Sequence, residues 1–138
     1  MLAVLPAQFG QLTQLKCLDL SHNRISGIPA VCFMGLTQLE KLWLGGNALT
    51  SLGVDIGAML SLRELHLSHN RLTALPPEIA SLKQLKVLNV EDNSLAELPA
   101  HLSTIPFLNK LQVGSQNGCL RYAGPLQPVF VCFGKSDA

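Results

Sequence analysis

Several side chains in this chain could do chemistry. His22, His66 and His69 could ligate a transition metal. The triplet SHN occurs at 21–23 and again at 68–70, setting a hydroxyl beside an imidazole as a nucleophilic site would. Cys17 follows Lys16, a cation that could favour a thiolate, and Gly45–Gly46 could begin a phosphate-cradling loop. Each reading lacks a partner. No carboxylate or thiol completes a metal set around the histidines, and the four cysteines (Cys17, Cys32, Cys119, Cys132) show no CxxC spacing. A triad needs a third group orienting the base, and no GK[ST] follows the glycines. One lysine is thin activation for a thiol. The expectation is a chain that is not an enzyme, with no catalytic, metal or cofactor site.

Composition narrows the class further. The chain has 138 residues, 48% of them hydrophobic, enough for one modest domain with a core. Charged residues make up 14%, below the ~25% usual for soluble domains, so part of the surface is expected to be covered by something else. A formal net charge of +1 gives no overall electrostatic footprint for nucleic acid. No apolar run is long enough for a membrane span. The opening MLAVLPAQFG lacks the basic n-region of a secretory signal, and the scattered cysteines fit a reduced, cytoplasmic setting.

The elements that would position these side chains follow from a repeat. Four units begin at Leu15, Leu39, Leu62 and Leu85, and a fifth start stands at Leu108; the steps are 24 residues once, then 23. Asn23, Asn47, Asn70 and Asn93 keep the same step. Each unit spells LxxLxLxxNxL or a close variant. In this unit the chain resembles the leucine-rich repeat family, and the resemblance covers about residues 1 to 113.

That resemblance implies an α/β solenoid: a concave parallel sheet of about five strands, with turns and short helical segments on the convex arc. Leu18 and Leu20, and their counterparts in each unit, alternate inward along a short strand. After the strand the chain turns off the sheet and leaves backbone groups without ladder partners. An asparagine amide both donates and accepts, so a stacked column of them can bond the turns of its own and neighbouring units. The four asparagines are therefore expected to be scaffold. On the convex arc Pro29, Pro76 and Pro99 recur in one register, where the second unit has Gly53. This LPxx(I/L)xxL arc resembles the subclass of intracellular Ras-pathway and cell-polarity scaffolds such as erbin and scribble.

The ends break the pattern. Residues 2–15 match residues 72–85 position for position, so residues 1–14 form a partial repeat and the chain starts mid-unit, either inside a longer parent array or as a truncated product. After Val113 the pattern stops. Gln116 takes the asparagine register, and residues 114–138 form a non-repeat tail whose VFVCF patch either folds back as a crude cap or belongs to a loosely ordered appendage.

Function is expected on the concave face, where the variable positions form columns. The central one reads Asp19, Trp43, His66, Asn89, Gln112; the one before it Cys17, Lys41, Glu64, Val87, Lys110. Arg24 and Arg71 stand just past their asparagines, and His22 and His69 just before. His22 and His69 lie two strands apart, roughly 10 Å, too far to share an ion readily. Trp43, the only tryptophan, has an outward register beside Gly45 and Gly46 and reads as an interface anchor. The expected partner-binding set is Asp19, Arg24, Lys41, Trp43, Glu64, His66, His69, Arg71 and Asn89. The family implies a protein partner such as a small GTPase, a phosphatase or a polarity protein, bound by a monomeric cytoplasmic scaffold. Rival readings are the regulatory repeat region of a larger signalling enzyme, a fragment of an extracellular receptor ectodomain, and a truncated product with no role of its own.

Overall fold

The computed structural model describes residues 1–114 and the backbone of 130–132. Six short strands lie in one parallel sheet in chain order: β1 (Cys17–Asp19), β2 (Lys41–Trp43), β3 (Glu64–His66), β4 (Val87–Asn89), β5 (Lys110–Gln112) and β6 (Phe130–Cys132). The register runs straight across, pairing Leu18, Leu42, Leu65, Leu88 and Leu111 in turn. Five strands arise from the repeat starts. The sixth comes from the tail, where Val131 pairs with Leu111, so one segment of that tail continues the sheet. Gln116 and the remainder of the tail lie outside the described residues.

The core is a column of leucines between the sheet and the convex arc. Leu39, Leu62 and Leu85, at the unit starts, have no exposed surface. Burying a leucine side chain contributes about 1.5–3 kcal/mol, so five stacked coils are held mainly by this column. The convex segments are short because each coil has only a few residues in which to return. Four are 3-10 helices of 5 residues, Ala7–Gln11, Val54–Ala58, Pro77–Ser81 and Ala100–Thr104. The 24-residue unit differs. Its extra residue widens the turn into α1 (Ala30–Gly35), closed by the Leu36 N–H on the Cys32 carbonyl at 3.1 Å, where Val54–Ala58 closes over one residue fewer. The wider turn crowds its neighbour. A Cβ on Gly35 would collide with the Gly10 carbonyl oxygen, and one on Gly10 with that of Val31, so both sites need glycine for close approach.

Pro6, Pro29, Pro76 and Pro99 each precede a convex segment, with φ between −67° and −57°. Gly53 does the same without a ring, at φ −65° and ψ 153°.

The asparagine column forms a continuous ladder. Asn70 Oδ1 accepts from the Leu49 N–H at 3.0 Å, while its Nδ2 donates to the carbonyls of Leu44 at 2.9 Å and Leu67 at 3.0 Å. Asn93 repeats this toward Leu72, Leu67 and Val90, and Asn47 toward Ile25, Leu20 and Leu44. Each amide thus ties its own turn to the preceding coil. Asn23 accepts from the Leu2 N–H at 2.8 Å but donates only within its own coil, to Leu20 and Ser21. The residue before each asparagine is left-handed: His22, Gly46, His69 and Asp92 have φ of 55°, 67°, 52° and 50°. Outside glycine, that conformation is adopted most readily by Asn, Asp and His. Part of the reason for histidine at 22 and 69 is therefore backbone geometry.

Candidate functional site

The centre of the concave sheet carries one connected cluster. Trp43 on β2 and His66 on β3 are direct cross-strand partners. Their rings stack with centroids 6.0 Å apart and planes 15° from parallel, and both residues are half-buried. One column earlier on the same strands, Lys41 Nζ and Glu64 Oε1 form an ion pair at 2.9 Å. The Lys41 ammonium, as hydrogen-bond donor, holds the Glu64 carboxyl below the usual carboxylate range, against the opposing effect of burial, and Glu64 in turn holds Lys41 above its ordinary value. His66 Nε2 lies 3.6 Å from Glu64 Oε2, too long for a hydrogen bond, and has no other partner although the atom is covered. Trp43, His66, Glu64 and Lys41 therefore make a single flat surface of aromatic area edged by a charge pair.

Comparison with known proteins places this face on a known scaffold. A family model described as "Leucine rich repeat" matches residues 2–49, and another, "Leucine Rich repeats (2 copies)", matches residues 60–101. The chain belongs to the leucine-rich repeat family. Its fold is similar to the solved structure of a leucine-rich repeat protein of Leptospira interrogans, at 32% identity and a TM-score of 0.76. The likeness covers 88% of this chain but spans only 30% of that one. No curated protein matches the chain.

Within the leucine-rich repeat frame, the remaining concave residues separate into two groups. Asp19 and Asn89, at the Trp43 register on β1 and β4, turn back on their own backbones. Asp19 Oδ1 accepts from the Ser21 N–H at 2.9 Å and Asn89 Oδ1 from the Glu91 N–H at 3.0 Å. The Ser21 N–H bond keeps the Asp19 carboxyl below its ordinary range, with the Ser21 hydroxyl adding to it. These two side chains flank the Trp43 cluster and shape the loop that follows each strand. His69 belongs to a separate pair at the strand ends, its Nδ1 3.0 Å from Asp92 Oδ2. His22 is exposed and packs near Gly46, where a Cβ would stand 2.7 Å from its Nδ1. Arg24 and Arg71 are exposed, and their backbone N–H groups donate to the carbonyls of Leu2 and Leu49, each at 2.8 Å. Neither guanidinium joins the Trp43 cluster through an ion pair among the described residues.

Among the described residues no three His, Cys, Asp or Glu side chains converge on a point where a metal could sit. No described helix is long and apolar enough to cross a membrane. Cys17 is a free, exposed thiol on β1, and Cys32 is buried in α1, where burial pushes its thiol up. Sequence reasoning missed two features: the Asp19 and Asn89 turns, and the left-handed column. The second had a signal in the run His, Gly, His, Asp at one register, which are residue types that tolerate positive φ.

Proposed function

We propose that the chain is a protein-binding module whose partner docks on the concave sheet, with Trp43 as anchor. The observation that carries this is the Trp43–His66 stack beside the Lys41–Glu64 pair. A broad aromatic surface at the middle of a rigid sheet, edged by fixed charges, is the kind of patch where interfaces concentrate their energy. The family generally mediates protein–protein contact, and a sheet without a deep cleft favours recognition over chemistry. His66 Nε2 offers a further contact, since a modest ring shift toward a partner acceptor would give the nitrogen the bond it lacks. The proline register of the convex arc supports a narrower reading as a cytoplasmic signalling scaffold of the erbin and scribble kind, acting on a small GTPase or a phosphatase.

Trp43→Ala tests this. Proteins retained from cell extract by the immobilised chain are quantified by mass spectrometry for wild type, Trp43→Ala and a control on the opposite arc, Glu97→Ala. The principal partner is expected to weaken about tenfold or more with Trp43→Ala and to be unchanged with the control. Because Trp43 is the only tryptophan, its own emission reports the docking directly in a titration with that partner. Equal retention by wild type and Trp43→Ala, with no change in emission, removes the anchor from the concave face.

A further inference from the structure

The net charge of +1 conceals a strong segregation around each coil. On the half running from the end of a convex segment to the first strand residue, the described basic residues are Lys16, Lys41, Arg63, Lys83, Lys86 and Lys110, against Glu40 and Glu64 alone. On the other half, from the last strand residue to the first turn of the convex segment, the balance reverses: Asp19, Asp55, Glu78, Glu91, Asp92 and Glu97 against Arg24 and Arg71.

The basic half is not evenly neutralised. Glu40 lies 4.0 Å from Lys16 and 3.8 Å from Arg63, and Glu64 holds Lys41, so the acids serve the first three coils. Toward the last coils Lys83, Lys86 and Lys110 are exposed and have no carboxylate partner among the described residues. The backbones of Arg63, Lys86 and Lys110 are joined in turn. The Arg63 carbonyl accepts from the Lys86 N–H at 2.8 Å, and the Lys86 carbonyl accepts from the Lys110 N–H at 3.0 Å. Lys83 Nζ reaches across to the Thr104 carbonyl at 3.4 Å, which lays its stem against the next coil.

Apolar groups stand among these cations. The turn leading into β5 presents Phe107, 53% exposed, at a position where the other coils carry Gln14, Gln38, Ser61 and Gln84. The turn leading into β3 presents Leu60, 61% exposed, which lines a depression of about 490 Å³ with Gln38, Glu40, Arg63 and Gln84.

We propose that this strand-start rim, from Leu60 and Arg63 through Lys83 and Lys86 to Phe107 and Lys110, is a second docking surface, which takes an acidic protein segment carrying an apolar side chain. Arg63 and Lys86 stand at one register on neighbouring coils, about 4.8 Å apart, with Lys83 on the same coil as Lys86 and Lys110 on the next coil at the register of Val87. Carboxylates on an extended segment meet them with charge complementarity, while the apolar side chain packs on the exposed ring of Phe107 or on Leu60. An extended peptide is favoured over nucleic acid because Phe107 is the only exposed aromatic ring on this rim among the described residues, too few for stacked bases.

The test uses the full chain and a fluorescein-labelled peptide in which glutamates flank two leucines, with fluorescence anisotropy as the readout. Binding is expected at about 50 mM salt and should weaken several-fold by about 200 mM as screening shortens the reach of the lysines. The charge-reversed variant K83E/K86E/K110E should weaken it about tenfold or more, and Phe107→Ala about fivefold, with far-UV circular dichroism unchanged. Trp43→Ala should leave it within about twofold, because Trp43 on β2 lies two strands from β4 and three from β5, where the unpaired lysines stand. A peptide with lysines in place of the glutamates should not bind. Absence of binding to wild type at low salt, equal binding by the charge-reversed variant, or tighter binding of a thymidine oligonucleotide with the same variant pattern would each overturn the proposal.

Discussion

The first half-coil and the arc of the third unit share one pattern, with leucine at 2 and 72, 5 and 75, 12 and 82, and 15 and 85, yet they are buried differently. Leu82 has no exposed surface, whereas Leu12, at the same register, is 46% exposed. Leu2, Phe9 and Leu15 are only partly covered, while Leu72, Ile79 and Leu85 are fully so. The ladder shows the same contrast, since Asn93 donates to the carbonyls of Leu67 and Val90 and is wholly buried, while Asn23 donates only within its own coil and stays half-exposed. In a stacked array the residue pattern specifies which side chains can be buried, and a neighbouring coil on each side determines which ones are.

The largest effect should come from truncating the two leucines. Leu82→Ala removes a fully packed side chain from between two coils and is expected to cost about 2–5 kcal/mol. Leu12→Ala removes one that is nearly half in water already, so about 1 kcal/mol or less is expected. Urea melts followed by Trp43 emission measure both. Equal losses would mean that the first half-coil is packed as tightly as the interior.

The ladder sharpens the same contrast at smaller scale. Asn93→Ala strands the Leu72 N–H in the interior and removes one donor from the carbonyls of Leu67 and Val90, and should cost about 1–3 kcal/mol, with Asn70→Ala similar. Asn23→Ala should cost less, because it lacks a cross-coil donor bond and water reaches its turn. If Asn23→Ala matches Asn93→Ala under the same melts, the ladder does not draw its strength from ties between coils.

The scaffold was legible because repetition amplifies a weak local signal. A single LxxLxL could be a strand or part of a helix. Four in register, each followed by an asparagine at one step, leave little besides a parallel stack with a polar turn. The β6 strand was harder, because Phe130–Cys132 offers only a short apolar, β-prone run without the unit around it. The concave face was legible only as direction. That Trp43 and His66 stack follows from a cross-strand register the repeat already implied, but the retreat of Asp19 and Asn89 onto their own N–H groups depends on side-chain rotamers, which spacing does not encode. The rim was missed because net charge averages over a coil whose two halves carry opposite signs.

The smallest effect lies where the second coil departs from the others. Gly53 holds φ −65° and ψ 153°, the conformation that Pro76 holds at φ −67° and ψ 144°. Its carbonyl accepts from the Ile56 N–H at 3.1 Å, as that of Pro76 accepts from the Ile79 N–H at 3.1 Å, and its own N–H makes no backbone hydrogen bond. A Cβ there would meet nothing nearer than Asp55 Oδ2 at 3.8 Å and Phe33 Cε2 at 3.9 Å, so the first carbon of a ring has room. The residue before it, Leu52, is buried like Leu75 before Pro76. Gly53→Pro therefore changes little in the folded coil and restricts the unfolded chain, which should stabilise the protein by about 0.4–1 kcal/mol. Pro76→Gly should lose a similar amount by the reverse route. Paired melts of the two variants decide it: opposite shifts of similar size place the proline column in the unfolded-state entropy, whereas a loss for Gly53→Pro would show that the second coil needs a backbone freedom the others do not.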